Sequence, residues 1–209
     1  MIPKEIKNIV FDLGGVLLNL DMTLTRDAFL SLGLSDIDKV FKELQHNHIL
    51  QDFEKGIITP HSFREAIRKY SVPDISDRSI DNAWNKMLLN FPQERMKCLI
   101  NLKRSYRIFL LSNTNEIHIK AFQRYIGSTF SPGQLERVFE KTYYSNVIGM
   151  RKPDKEIFLT ILERNKLKAQ ETWFIDDSPE HVEGAKKAGI TSILLKQPKT
   201  ILDLFPEYR

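Results

Sequence analysis

The stretch Asn8-Ile9-Val10-Phe11-Asp12-Leu13-Gly14-Gly15-Val16-Leu17 decides how the chain is to be read. Ile9, Val10 and Phe11 form an unbroken apolar run of the kind found in strands buried on both faces, and Asp12 follows directly, ahead of a glycine pair. A carboxylate at the end of a buried strand costs several kcal/mol to desolvate unless a cation or hydrogen-bond donors compensate it. The run therefore predicts a strand that delivers Asp12 into a tight turn, and it requires partners for that acid from elsewhere in the chain.

Working outward, near-continuous apolar or β-branched runs recur at Arg107 to Leu111, Lys141 to Tyr144, Thr172 to Ile175 and Thr191 to Leu195. Helical patterns separate the later ones. Strands alternating with helices predict an α/β fold, a Rossmann-like parallel sheet covered on both sides. Ligands of such sheets bind outside the carboxyl ends of the strands, where Asp12, Ser112 and the pair Asp176-Asp177 would all emerge.

The first two strand signals are far apart, and the segment from about Asp21 to Arg95 reads as almost pure helix. Ser35 is placed to cap a helix whose apolar positions Ile37, Val40, Phe41 and Leu44 share one face. Thr59 followed by Pro60 reads as the start of a second, with Phe63, Ala66, Ile67 and Tyr70 on its stripe. A third carries Ile80, Ala83, Trp84, Met87 and Leu88. Three or four such helices can bury one another as a small bundle. The expected division is a core of residues 1–19 and 96–209 with an inserted helical bundle at 20–95. Ile126 to Arg137, rich in Gly, Ser and Pro, reads as a surface loop leading into a short helix.

Composition excludes several classes. Thirty-one basic against 27 acidic residues give a mild net charge of +4, and the basic pairs Lys103-Arg104 and Lys186-Lys187 are scattered, whereas nucleic-acid binding needs a concentrated stripe. No stretch is long and apolar enough to span a bilayer. The N-terminal apolar run contains Asp12, which no signal-peptide core would carry, so a cytoplasmic location is expected. Cys98 is the single cysteine and reads as an apolar filler. The oligomeric state stays open, a monomer included.

Four segments offer Asp12 its partners: Phe11-Asp12-Leu13-Gly14-Gly15-Val16-Leu17, Leu111-Ser112-Asn113-Thr114-Asn115, Lys152-Pro153, and Phe174-Ile175-Asp176-Asp177-Ser178. Their order and content resemble the four motifs of the haloacid dehalogenase superfamily, and the resemblance spans nearly the whole chain. It implies that Asp12 is a nucleophile forming an aspartyl-phosphate, that the helical insertion is a cap, and that the substrate is a small phosphorylated metabolite. Ser112 and the amide of Asn113 would bind the transferring phosphoryl group, and Lys152 would neutralise its charge. The adjacent acids Asp176 and Asp177 repel one another unless a cation intervenes, and Mg²⁺ favours such oxygen ligands. Asp12, the backbone carbonyl of Gly14 and Asp177 or Asp176 are the expected metal ligands, with Asp177 favoured for direct contact. Ser178-Pro179 also reads as the start of a helix.

One position departs from the pattern. Many superfamily phosphatases carry a second Asp where this chain has Gly14, an acid that protonates the leaving oxygen. A more acidic leaving group, such as the anomeric hydroxyl of a sugar 1-phosphate, needs less help, and the motifs look most like a bacterial subgroup that includes an α-glucose-1-phosphate phosphatase. The competing readings are a metal-independent haloacid dehalogenase and a catalytically impaired phosphate-binding protein. His46 and His48, with the segment Phe53-Glu54-Lys55-Gly56, are candidates for reaching the substrate from the cap; His118 and His181 carry less weight, and Arg151 reads as a solvated neighbour of Lys152.

Overall fold

The computed structural model describes residues 2–34, 36–70 and 75–209. Strands β1 (Asn8–Phe11), β2 (Arg107–Ser112), β3 (Lys141–Tyr144), β4 (Thr172–Asp176) and β5 (Thr191–Leu194) form one parallel sheet in the order β3-β2-β1-β4-β5. The helices are α1 (Met22–Ser31), α2 (Ile37–His46), α3 (Ile49–Glu54), α4 (Pro60–Arg68), α5 (Asp77–Asn85), α6 (Gln93–Leu102), α7 (Glu116–Thr129), α8 (Gln134–Val138), α9 (Ser145–Ile148), α10 (Lys155–Arg164), α11 (Pro179–Lys187) and α12 (Ile201–Leu204). Register sets Phe11 between Leu110 and Ile175, so the chain leaves β1 and β4 side by side. Two strands outrun their apolar patterns by one residue: Ser112 still pairs with Tyr144, and Asp176 with Leu194, because backbone ladders form whatever the side chain.

Alternation along each strand splits the core into two layers. Ile9, Phe11, Ile108, Leu110 and Ile175 face one way, against Met96, Cys98 and Leu99 of α6, Phe122 and Ile126 of α7, and Ile201 of α12. Val10, Phe109, Leu111 and Phe174 face the other, against Ile157, Phe158 and Ile161 of α10 and Ala185 of α11. Cys98 is fully buried, and that burial pushes its thiol up to about 11, in keeping with a packing role.

Helices α1 to α5 surround a cluster of their own, built from Phe29, Ile37, Val40, Leu44, Phe53, Phe63, Ile67, Ile80 and Trp84, to which α7 contributes Ile117. Phe53 and Phe63 stack at 4.4 Å. Thr59 caps α4 by accepting from the amide of Ser62, with Pro60 in the first helical position. Asp36 caps α2 through the amide of Lys39; the expected cap, Ser35, lies outside the described residues. The chain enters and leaves this helical unit along one ribbon, in which Asn19 exchanges hydrogen bonds with Leu89 and Asn90, and Asp21 donates to Met87.

The loop expected at 126–137 is shorter than its composition implies. Helix α7 continues to Thr129, because Ile126 on its inner face is buried in the sheet core, and burial outweighs the weak propensities of Gly127, Ser128 and Thr129. Only 130–133 turn, with Gly133 in the left-handed region at φ +69° just before α8. Among the described residues, no helix is long and apolar enough to cross a membrane.

His118 of α7 joins the helical unit to the sheet unit. Its ring stacks on Trp84 at 5.0 Å, Nε2 lies 3.2 Å from the Trp84 carbonyl oxygen, and Nδ1 lies 3.1 Å from Nδ2 of Asn115. The neutral ring with its proton on Nε2 satisfies both neighbours, since the Asn115 amide then donates to Nδ1; a second proton would face a donor. Burial accordingly pulls His118 down to about 4 from an ordinary value near 6.5. The folded state therefore binds fewer protons than the unfolded chain between those values. Its stabilising contribution is complete above pH 6.5 and is lost as the pH falls toward 4, by at most about 3 kcal/mol. Urea unfolding at pH 7.5 and pH 4.5 should show a larger acid loss for the wild type than for His118→Leu; equal losses would refute this account.

Candidate active site

At the carboxyl ends of β1, β2 and β4 the structure opens a cavity of about 350 Å³, lined by Asp12, Gly14, Ser112, Asn113, Asp177 and His181 among others. Asp12 leaves β1 with its amide bonded to the Ile175 carbonyl, which fixes its place beside β4. Beneath the cavity floor lies Lys152, 0% exposed. Its Nζ donates to Asp12 Oδ1 at 2.6 Å, to Asp176 Oδ2 at 2.6 Å and to the Leu111 carbonyl at 3.1 Å, which uses all three ammonium donors. The Phe174 ring lies 5.5 Å away and adds a cation–π contact.

The three acids differ in what surrounds them. Asp176 is fully buried, yet it accepts from Lys152, from the amide of Ser178 at 2.8 Å, and from His181, whose Nδ1 lies 3.0 Å and 3.1 Å from its two oxygens. Burial alone would raise this carboxyl; the Lys152 charge and the His181 hydrogen bond outweigh it and hold Asp176 at about 2. Asp12 has the same desolvation and only Lys152 to oppose it, while Asp176 and Asp177 add negative charge, so it rises to about 7. Asp177 is exposed to the cavity; partial loss of hydration and then the Asp176 charge raise it too. Lys152 would be driven down by burial, but the charges of Asp12 and Asp176 more than reverse this and keep it cationic.

Carboxylate oxygens of Asp12, Asp176 and Asp177 lie within 4.8 Å of one another. Gly15 holds this approach open: at φ +76°, a Cβ there would fall 2.1 Å from Asp177 Oδ2. Gly14 lies against Leu20, whose Cδ1 would be 2.7 Å from a Cβ at position 14. Ser178 occupies the first cap position of α11, but its side chain makes no capping bond; its amide is satisfied by Asp176 instead.

Other expectations are redirected. Asn113 lines the cavity, and its side chain has a further engagement that leaves its own amide untouched: Oδ1 accepts from the Lys152 amide and Nδ2 donates to the Lys152 carbonyl, both at 2.9 Å. Arg151 is no solvated neighbour: its Nε donates to Glu54 Oε2 at 2.8 Å, and both residues line the cavity, Glu54 from α3. His46 and His48 are exposed and lie outside the cavity lining, since the turn between α2 and α3 points them outward. His181, which carries little weight in the sequence, lines the cavity from the first turn of α11 with Nδ1 against Asp176; the two meet because α11 begins three residues after β4 ends.

The chain belongs to the haloacid dehalogenase-like hydrolase family, whose model matches residues 6–189. It is 30% identical over 185 residues, 88% of this chain and 89% of the relative, to a D-ribitol-5-phosphate phosphatase from Bacteroides thetaiotaomicron. Among solved structures it is similar to a family enzyme from the same organism in complex with magnesium and inorganic phosphate, with 37% identity, TM-score 0.86, and 96% of this chain and 99% of that chain covered. A HAD-like family hydrolase structure from Porphyromonas gingivalis matches at 29% identity and TM-score 0.86, over 97% of each chain.

Removing the Lys152 ammonium leaves two buried carboxylates without their cation, a loss that typically costs about 3–5 kcal/mol. Urea unfolding of Lys152→Met in metal-free buffer at pH 7.5 should show a stability loss of that size; a loss under about 1 kcal/mol would mean that the cluster is not held by this charge.

Proposed function

We propose that the protein is a Mg²⁺-dependent phosphatase of small phosphorylated metabolites, with Asp12 as nucleophile. The observation that carries this reading is the convergence of Asp12, Ser112 and Asp177 on a single cavity above Lys152. Oδ1 of Asp12 is held by Lys152, which leaves Oδ2 to attack phosphorus as the bond to the leaving oxygen breaks. The resulting aspartyl-phosphate is then hydrolysed by water, regenerating the carboxylate. The hydroxyl of Ser112 at the end of β2 donates to a phosphoryl oxygen, and Lys152 balances the charge that gathers on Asp12 and phosphorus.

The donor set fits the metal. Asp176 spends its oxygens on Lys152, Ser178 and His181, whereas Asp177 keeps its oxygens toward the cavity; Asp12, Asp177 and the Gly14 carbonyl would hold Mg²⁺, with Asp176 behind them. When bound, the ion neutralises the acids and the phosphoryl oxygens together. Magnesium and phosphate in the Bacteroides structure support this reading.

Residues 20–95 would act as a cap over the core formed by 1–19 and 96–209, closing the cavity with Met22, Leu50, Phe53, Glu54, Trp84 and Met87. Glu54 is the charged group of this set, and with Arg151 it offers acceptors and donors to hydroxyls of the leaving group, as a sugar phosphate requires. Position 14 supplies no acid, and Leu20 crowds its space, so an activated sugar 1-phosphate suits the site on chemical grounds. A pentitol phosphate is the second reading, favoured by the named activity of the Bacteroides relative. A haloacid substrate fits less well: its carboxylate would meet Asp177 without a compensating ion.

Phosphate release should appear with sugar 1-phosphates or pentitol phosphates in Mg²⁺, vanish with a chelator, and fall by about 10³-fold or more in Asp12→Asn. Halide release insensitive to chelator, or no turnover of any phosphate, would overturn the proposal. Glu54→Ala should raise KM for hydroxylated substrates by about tenfold while sparing p-nitrophenyl phosphate, as the loss of a hydroxyl-bonding group predicts; equal effects on both would remove Glu54 from substrate recognition.

A further inference from the structure

Lys152 Nζ makes three hydrogen bonds that depend on where its backbone lies, yet Lys152 sits in the irregular segment between α9 and α10. Regular structure does not supply that constraint. Asn113 does: its primary amide pairs with both the N–H and the C=O of Lys152, as a neighbouring strand would, at 2.9 Å each. An aspartate in its place would lose the donor, and a serine would fall short of both groups.

Asn113 is itself anchored. The next residue, Thr114, donates its amide to Ser145 Oγ at 2.9 Å and receives the Ser145 hydroxyl on its carbonyl at 3.0 Å, with Ser145 fully buried at the start of α9. From the opposite side, Gly184 of α11 packs so closely on Pro153 that a Cβ there would lie 2.3 Å from the Pro153 carbonyl oxygen. The Lys152-Pro153 segment is thus bonded to the loop after β2 and packed against α11.

We propose that Asn113 is a positioning residue: its side chain sets Lys152 Nζ between Asp12 and Asp176 and does not itself bind substrate. The role rests on the phosphatase reading above. It differs from the expectation that Asn113 serves through its own amide on the phosphoryl group, because the side chain, and not the backbone, carries the effect.

The test compares wild type, Asn113→Ala and Asn113→Asp with the substrate found in the phosphate screen, and with p-nitrophenyl phosphate. Both variants should lose about 10- to 100-fold in kcat with KM within about threefold of wild type, since a displacement near 1 Å costs about that much. A second readout needs no turnover: in ¹⁵N-lysine-labelled wild type, one buried ammonium should give an exchange-protected ¹H–¹⁵N signal that Lys152→Met assigns, and Asn113→Ala should weaken or shift it in protein that still unfolds cooperatively. If kcat stays within threefold, if KM rises instead, or if the ammonium signal is unchanged, the proposal is overturned. Should Asn113→Ala fail to fold, Asn113→Asp, which keeps the acceptor, carries the same comparison. Wild type that turns over none of the phosphates would sink the phosphatase reading, while the ammonium signal would still decide the positioning of Lys152.

Discussion

One buried ammonium organises this protein's site. Lys152 lies between Asp12 and Asp176, 2.6 Å from each, with no solvent to share the charge. At an effective dielectric constant near 20, each contact is worth on the order of 6 kcal/mol, while each buried ion loses several kcal/mol of hydration. The three-ion cluster is thus close to balance, and it contributes specificity of arrangement more than net stability. The stability must come from the two apolar layers of the sheet and the separate core of the helical unit. The cluster in turn constrains the fold: β1 and β4 must be neighbours, and the segment after α9 must pass beneath both.

Unequal pairing of the acids is what makes the arrangement chemically useful. Asp176 has a cation, an amide and an imidazole, and it stays ionised at almost any pH. Asp12 has the cation alone and is raised to about 7; Asp177 has neither and faces the cavity. Negative charge left unmet therefore collects on the cavity side of the cluster and is already satisfied on the protein side. On the proposed phosphatase reading, a divalent cation and a phosphoryl group approaching from the cavity would complete the balance and would meet Asp12 by its free oxygen.

What was legible in the sequence follows the range of the interactions. The strands and the cap of α4 by Thr59 depend on neighbours within a few residues, and local pattern found them. Asp12, Ser112 and the acidic pair stood at strand ends, which the parallel-sheet rule gathers at one edge, so their convergence was readable as well. Lys152 was visible through its resemblance to a motif, because periodicity gives no reason to bury a lysine. The clamp of Asn113 on Lys152 and the link between Glu54 and Arg151 span 39 and 97 positions, and nothing local announces either. The overlong loop expected at 126–137 failed for a related reason: Ile126 answers to the sheet core, and tertiary burial overrides turn-forming neighbours.

The absence of an acid at position 14 is more than a missing side chain. Leu20 lies where such a side chain would begin, and Leu18, Met87, Leu88 and Trp84 form an apolar wall in a cavity whose other side carries Asp12, Ser112 and Asp177. A side chain at position 14 would require the end of the Leu20 side chain to move, and an acid there would lose part of its hydration against that wall. The apolar wall has a compensating effect. Met22, Leu50 and Phe53 of the helical unit line the same cavity, so a charge placed beside Asp12 would act through a lower dielectric than in bulk water. On the proposed phosphatase reading, stabilisation of charge at phosphorus would carry a larger share of the work than protonation of the leaving oxygen, so turnover should depend steeply on the acidity of the leaving group, more so than in a site equipped with its own acid.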